Sequence, residues 1–239
     1  MPTAVLGAVD FHSPLVWAVL VGWVMTVVLH EFAHGIVAYW GGDYTIRERG
    51  GLSLNPLQYV HPVFSILLPL VFMAMGGVPL PGGATYIRRD LLRNKWWDSG
   101  VSLAGPAMNA LLFLIGAVAL HPRVGWIHDY GDEWTPAQRL VATLTCLQLF
   151  AVLLSLVPVP PLDGFGAINP FLSRDAQEKL SNPSVRMGSI VVLYFVISSS
   201  TVGEYFLSVI IKALMRLGYG EYEAHRVLYV MGQTIFGWS

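Results

Sequence analysis

Four stretches of this chain are too apolar and too long to suit a water-soluble fold. They run from about Pro14 to Trp40, Pro62 to Leu80, Val101 to Leu120 and Gln138 to Val159. Each approaches the roughly 20 residues a helix needs to cross a bilayer. A fifth, from about Met187 to Leu217, is too long for one upright span and too short for two, and its centre reads SSSTVGE. Hydrocarbon offers backbone N–H and C=O groups no partners, so such stretches must satisfy them internally as helices. Composition agrees: 54% of residues are hydrophobic and 12% charged, with a mean hydropathy of +0.57. A soluble chain carries about 25% charged residues. The expected fold is an all-α polytopic membrane protein, a bundle of about 4–6 transmembrane segments in a single domain over residues 1–239. Its core covers 14–170 and a C-terminal helical part covers 187–218.

Several classes are excluded at once. A net charge of −1 gives no electrostatic footprint for nucleic acid. Cys146 is the only cysteine, so no intrachain disulfide exists, and its apolar setting makes it a small packing residue. The first 29 residues contain Asp10 but no Lys or Arg, and no A-x-A site follows. They read as a retained first span, not a removable signal peptide.

Between the apolar blocks lie shorter signals. Leu52 to Asn55 alternate after a Gly-Gly pair, and Ala84 to Ile87 follow a PGG; both are expected as short membrane-embedded strands. Thr135 before Pro136 is a helix start. Pro158, Pro160 and Pro161 stop the fourth block, which leaves Asp163 on irregular backbone just beyond it.

The first block also holds HEFAH, residues 30–34. Ionisable groups near a bilayer centre cost about 2.5–3.5 kcal/mol each for Asp or Lys, so something must offset their burial. His30 and His34, four apart, share one helix face and can reach one tetrahedral zinc. Glu31 sits about 100° round the helix, placed to act as general base toward a water that the metal acidifies. A structural histidine pair with Glu31 as counter-ion is the blander alternative. His30 lies ten residues before Trp40, roughly 15 Å from that helix end at 1.5 Å per residue.

A catalytic zinc needs a third protein ligand. Asp163 is the best candidate, held by a rigid proline run and followed by Gly164, which permits a tight turn. Its rivals are His61 and Asp98, each at the mouth of a block, where an interfacial role is the plainer account. In LAGPAMN, Ser102, Gly105 and Gly116 form a small-residue stripe suited to close helix packing. Asn109 on that stripe needs a partner; it orients a ligand, stabilises an oxyanion or bonds a neighbouring helix.

Topology constrains the pairing. If all of the first four blocks crossed, the ends bearing His34 and Asp163 would face opposite sides. A second block (62–80) that enters and leaves on one side removes the conflict, and its prolines and glycines allow it. Arg88, Arg89, Arg93 and Lys95 follow that block, whereas Asp129, Asp132 and Glu133 follow the third. The positive-inside rule then places the site within reach of the cytoplasm.

HEFAH, LAGPAMN and PVPPLDG, with SLNPLQYVHP and ILLPL between, resemble the site-2 proteases, intramembrane zinc metalloproteases, and in particular a compact prokaryotic branch without PDZ or CBS domains. The likeness covers about residues 25–170. It implies one Zn2+ per chain on His30, His34 and Asp163, Glu31 as base, and cleavage of transmembrane-helix protein substrates within the lipid bilayer. The chain departs from the family pattern at Val159, where many members have Asn before the second proline, and at Ser155, where many have Asn eight positions before the ligand aspartate. That second position is associated with substrate or oxyanion contact, so Ser155 and Asn109 are the candidates for this role. Two other classes remain open: an inactive relative that binds transmembrane helices, and a membrane metal transporter.

Overall fold

A computed structural model describes residues 12–67, 69–70, 82–127, 133–197 and 200–236. Among these residues the regular structure is entirely helical. Helix α1 (Pro14–Gly41) has Pro14 at its first position, where the missing N–H costs nothing. It ends at Gly42, whose φ of 121° is open to glycine but strained for other residues. There Asp43 N–H closes back on the Ala38 carbonyl at 3.0 Å. A single turn, α2 (Thr45–Glu48), follows. Helix α3 (Lys95–Leu120) starts where Asn94 accepts hydrogen bonds from the N–H groups of Trp96 and Trp97. Helix α4 (Pro136–Ser155) opens with a full capping box between Thr135 and Gln138, as the Thr-Pro start predicts. Then come α5 (Asp163–Ile168), α6 (Arg174–Ser181), α7 (Pro183–Ile197), α8 (Ser200–Arg216) and α9 (Glu221–Phe236).

Helices α1, α3 and α4 are each long and apolar enough to cross a membrane. They correspond to the first, third and fourth apolar blocks. Most of the second block, residues 68 and 71–80, lies outside the described residues; its start, Pro62–Leu67, forms a π-helical turn. The fifth block holds α7 and α8, with residues 198–199 between them outside the described set. The expected strands are not found among the described residues: 52–55 and 84–87 are non-helical but form no ladder. One backbone bond, Ala84 N–H to the Tyr59 carbonyl at 3.1 Å, is too little to make one.

Helix α3 is the centre of the bundle, packed on α1, α4 and α5, while α9 covers α4. At Gly116 a Cβ would come within 2.1 Å of Thr145 Oγ1, so α3 and α4 approach as closely as a small-residue stripe allows. Phe113, Leu120, Cys146, Leu147, Ile210, Leu214, Val227 and Val230 build the main apolar core, with Cys146 buried as a packing residue. The polar pattern is inverted relative to a soluble protein. Glu31, His34, Asn109, Thr145 and Gln148 are buried, whereas Val21 and Met25 of α1 and Leu111, Ile115 and Val118 of α3 face outward. Outward apolar faces on spanning helices are what lipid requires.

The two ends that matter coincide. A Cβ on Gly41, the last residue of α1, would lie 3.0 Å from Leu92 and 3.2 Å from Trp97, and Arg93 N–H donates to the Gly41 carbonyl at 2.9 Å. The C-terminal end of α1 and the N-terminal end of α3 therefore lie at the same end of the bundle.

Candidate metal centre

His30 and His34 project from α1 toward α3, and Asp163 opens α5. Their side chains meet. His30 Nε2 lies 3.1 Å from His34 Nε2, and the Asp163 carboxylate places Oδ2 at 3.2 Å from His30 Nε2 and Oδ1 at 3.4 Å from His34 Nε2. The imidazoles stand nearly perpendicular, at 78°. A tetrahedral zinc with bonds of about 2.0–2.2 Å sets its donors roughly 3.3–3.6 Å apart. Two nitrogens and a carboxylate at these separations fit that geometry closely.

The backbone around the group makes room for it. A Cβ at position 105 would lie 2.3 Å from His34 Nε2 and 2.4 Å from His30 Nε2. Gly105 is therefore the bare backbone that lets both rings converge. His34 Nδ1 lies 2.6 Å from the Val101 carbonyl, which can only accept, so Nδ1 carries the proton and Nε2 presents a lone pair. His30 Nδ1 is buried without a partner among the described residues. Two facing nitrogens and a carboxylate, with one ring held in the ligating tautomer, form a donor set suited to a divalent cation.

Asp163 is carried in by close backbone contacts. A Cβ on Gly164 would lie 2.2 Å from the Leu156 carbonyl oxygen, so α5 starts directly against the end of α4. Ser99 Oγ donates to the Ala167 carbonyl at 2.6 Å, and a Cβ on Gly166 would reach Ser102 Oγ at 2.6 Å. These contacts fix α5 on α3.

Glu31 is buried, 7% exposed, one residue from His30. Gly83 packs against it: a Cβ there would lie 3.0 Å from Glu31 Cγ. Thr85 Oγ1 donates to the Glu31 carbonyl at 3.2 Å. The chain from 82 to 88 thus runs past the HEFAH turn. Of the rival ligands, His61 lies in the turn before Pro62, accepting from Val63 N–H at 3.2 Å, and Asp98 pairs with Arg89. Neither belongs to the group that His30, His34 and Asp163 form. Asn109 is buried on α3 one turn beyond Gly105. Ser155 ends α4 with its hydroxyl donating to the Val152 carbonyl at 3.3 Å.

Sequence reasoning gave Gly105 a packing role only, and it passed over Asp43. That carboxylate is fully buried at the end of α1. It accepts from Thr45 Oγ1 at 2.5 Å, from Arg49 Nη2 at 2.9 and 3.1 Å, and from Arg88 N–H at 2.8 Å. Burial pushes its pKa up, but these donors and the Arg49 charge outweigh it and hold the carboxyl below its ordinary range.

No protein-family model matches the chain, and no solved structure does. Curated relatives do match. A Mycolicibacterium smegmatis protein named "Putative zinc metalloprotease Rip2" is 38% identical over 182 residues, 75% of this chain and 66% of that relative. The protein of the same name from Mycobacterium tuberculosis is 35% identical over 214 residues, 85% of this chain and 80% of the relative. "Putative zinc metalloprotease YwhC" of Bacillus subtilis is 31% identical over 189 residues, 77% and 81% of the two chains. The chain belongs to the site-2 protease family of zinc metalloproteases. Zinc is the metal that the relatives' names specify, and His30, His34 and Asp163 form a group that could hold such an ion.

Proposed function

We propose that this protein is an intramembrane zinc endopeptidase that hydrolyses peptide bonds in the transmembrane segments of other membrane proteins. The observation that carries the reading is the convergence of His30, His34 and Asp163 on one point, with Glu31 on the same helix. Among the described residues this is the one such group. A transit path for metal would need further ligands along the bundle, which favours catalysis over transport.

In this reading His30 Nε2, His34 Nε2 and the Asp163 carboxylate would hold the metal. A zinc ion held there would supply Lewis acidity toward the scissile carbonyl and toward a water molecule. Glu31 takes the proton as the water oxygen attacks the carbonyl carbon. It returns that proton to the leaving nitrogen as the C–N bond breaks. Val101 keeps His34 in the ligating tautomer throughout. Asn109 can donate its amide N–H to the developing oxyanion, whereas Ser155 must first release the Val152 carbonyl.

A helical substrate has its carbonyls committed to i−4 bonds and must unwind first. The non-helical stretches 52–55 and 84–87 leave backbone groups with which an extended substrate can pair by strand addition. The residues between α1 and α3 enter and leave at one end of the bundle, which supports a re-entrant second block, and α7–α9 bring the bundle to about 4–6 membrane segments. Exposed Trp40, Tyr44 and Trp96 mark the interface at that end, beside Arg88, Arg93 and Lys95. This end faces the cytoplasm, and a reporter fused at Asn94 is expected to read as cytoplasmic; an extracytoplasmic signal reverses the orientation.

The deciding experiment uses purified full-length protein in detergent. About one zinc per chain is expected, with cleavage of single-span peptides that stops on chelation and returns with zinc. Zinc binding without cleavage would instead favour an inactive relative.

A further inference from the structure

We propose that Asp43 is a positioning residue for this protease: its buried carboxylate ties residues 83–87 to the zinc-bearing helix, making them a fixed wall against which the substrate is set. The proposal rests on the proteolytic reading of the same site.

The segment from 82 to 88 is pinned at several points to elements around α1. Ser65 Oγ donates to the Gly82 carbonyl at 2.6 Å. Gly83 lies on Val27 and Glu31, where a Cβ would approach to 2.9 and 3.0 Å. Ala84 N–H bonds to Tyr59, and Thr85 to the Glu31 carbonyl. At the far end Arg88 N–H bonds to Asp43. With no helix or ladder of its own, the segment has no internal bonds to hold its course, so these tethers decide where it lies.

Asp43 supplies the one carboxylate acceptor among these tethers. It is fully buried nine residues beyond His34, and it joins α1 directly to the end of the segment. Arg49 completes the clamp from both sides: its guanidinium donates twice to the carboxylate and lies 5.0 Å from the centre of the Tyr86 ring. One carboxylate thus holds the backbone at position 88 and orients Arg49 toward the exposed ring at 86. Buried charge-assisted bonds of this kind are stiffer than neutral ones. Such a clamp suits a wall whose register over Glu31 selects the bond that is cut.

The test compares Asp43→Ala, Asp43→Asn and Arg49→Gln with wild type as zinc-loaded full chains in detergent. Three quantities are read: zinc per chain, amide hydrogen exchange at residues 84–88, and cleavage of a single-span peptide with its cut sites mapped by mass spectrometry. The expected result for Asp43→Ala is unchanged zinc, exchange at Arg88 and its neighbours faster by about tenfold or more, the scale of one charge-assisted bond, and a raised KM with cuts spread over adjacent bonds. Asp43→Asn keeps one acceptor and should fall between. Arg49→Gln, at a half-exposed side chain, follows the same direction more weakly and carries the test if Asp43→Ala fails to fold. Unchanged exchange in these variants overturns the clamp. Faster exchange with cleavage still at one bond and wild-type KM overturns its role in positioning, as does loss of zinc, which would mark a purely structural residue. A wild-type protein that binds zinc but cuts nothing overturns the protease reading, and the exchange data still decide the clamp separately.

Discussion

Glu31→Gln is expected to bind zinc at the wild-type ratio and to lose peptide cleavage. The amide matches the carboxylate in size, and the three ligand side chains are untouched. The bond from Thr85 goes to the Glu31 main-chain carbonyl, so the local fold is preserved as well. What disappears is the only group beside the metal ligands, on the same helix turn, that can take a proton. General-base catalysis contributes typically 10²–10⁴-fold, so the rate should fall by at least about that factor. Metal analysis of the purified variant and mass spectrometry of a single-span peptide read the two halves. A variant that still cuts at the wild-type rate removes Glu31 from the mechanism; one that loses zinc shows that the carboxylate is needed to build the site.

Gly105→Ala is expected to cost metal binding itself, although the residue ligates nothing. The new methyl would sit 2.3 and 2.4 Å from the two Nε2 atoms. Ordinary carbon–nitrogen contact is about 1 Å longer, whereas a metal site tolerates only about 0.2 Å of error in its bonds. Neither ring can step aside and still meet Asp163, so zinc per chain should drop well below one and activity with it. Gly116→Ala is the control on the same helix. Its methyl meets Thr145 Oγ1 at 2.1 Å, a helix–helix contact remote from the ligand atoms. Overpacking there should lower stability by about 1–3 kcal/mol while zinc per chain is kept. Equal zinc loss in the two variants would mean that Gly105 acts through general packing and not through the ligand rings.

Long elements were legible in the sequence because bilayer thickness imposes a length that a reader can count. Helices α1 and α3 fall within a few residues of their apolar blocks, and α4 starts at the Thr135–Pro136 cap. Helix α9 lies beyond the long apolar blocks because it has 16 residues and mixes charged with apolar positions. Its buried Ala224, Val227, Leu228, Met231 and Ile235 nevertheless carry the helical spacing that would have revealed it. The strand expectation at 52–55 and 84–87 failed for another reason. Alternation marks an extended chain, but a ladder needs a partner in register, and here Tyr59, Glu31 and Asp43 take hydrogen bonds from the 84–88 stretch instead.

The sequence by itself determined the local pattern: two histidines four apart on a helix, a glutamate between them, and an apolar context in which buried charges are costly. Local spacing carries that information because helix geometry is the same in every protein. Only the tertiary structure decided that Asp163, and neither His61 nor Asp98, joins the pair, since 129 residues separate it from His34 and no local rule spans that distance. It also placed bare backbone at Gly105 against both imidazoles and brought the Asp43 carboxylate to the Arg88 N–H. Both depend on which groups distant in sequence are packed into contact, a property to which residue type alone is blind.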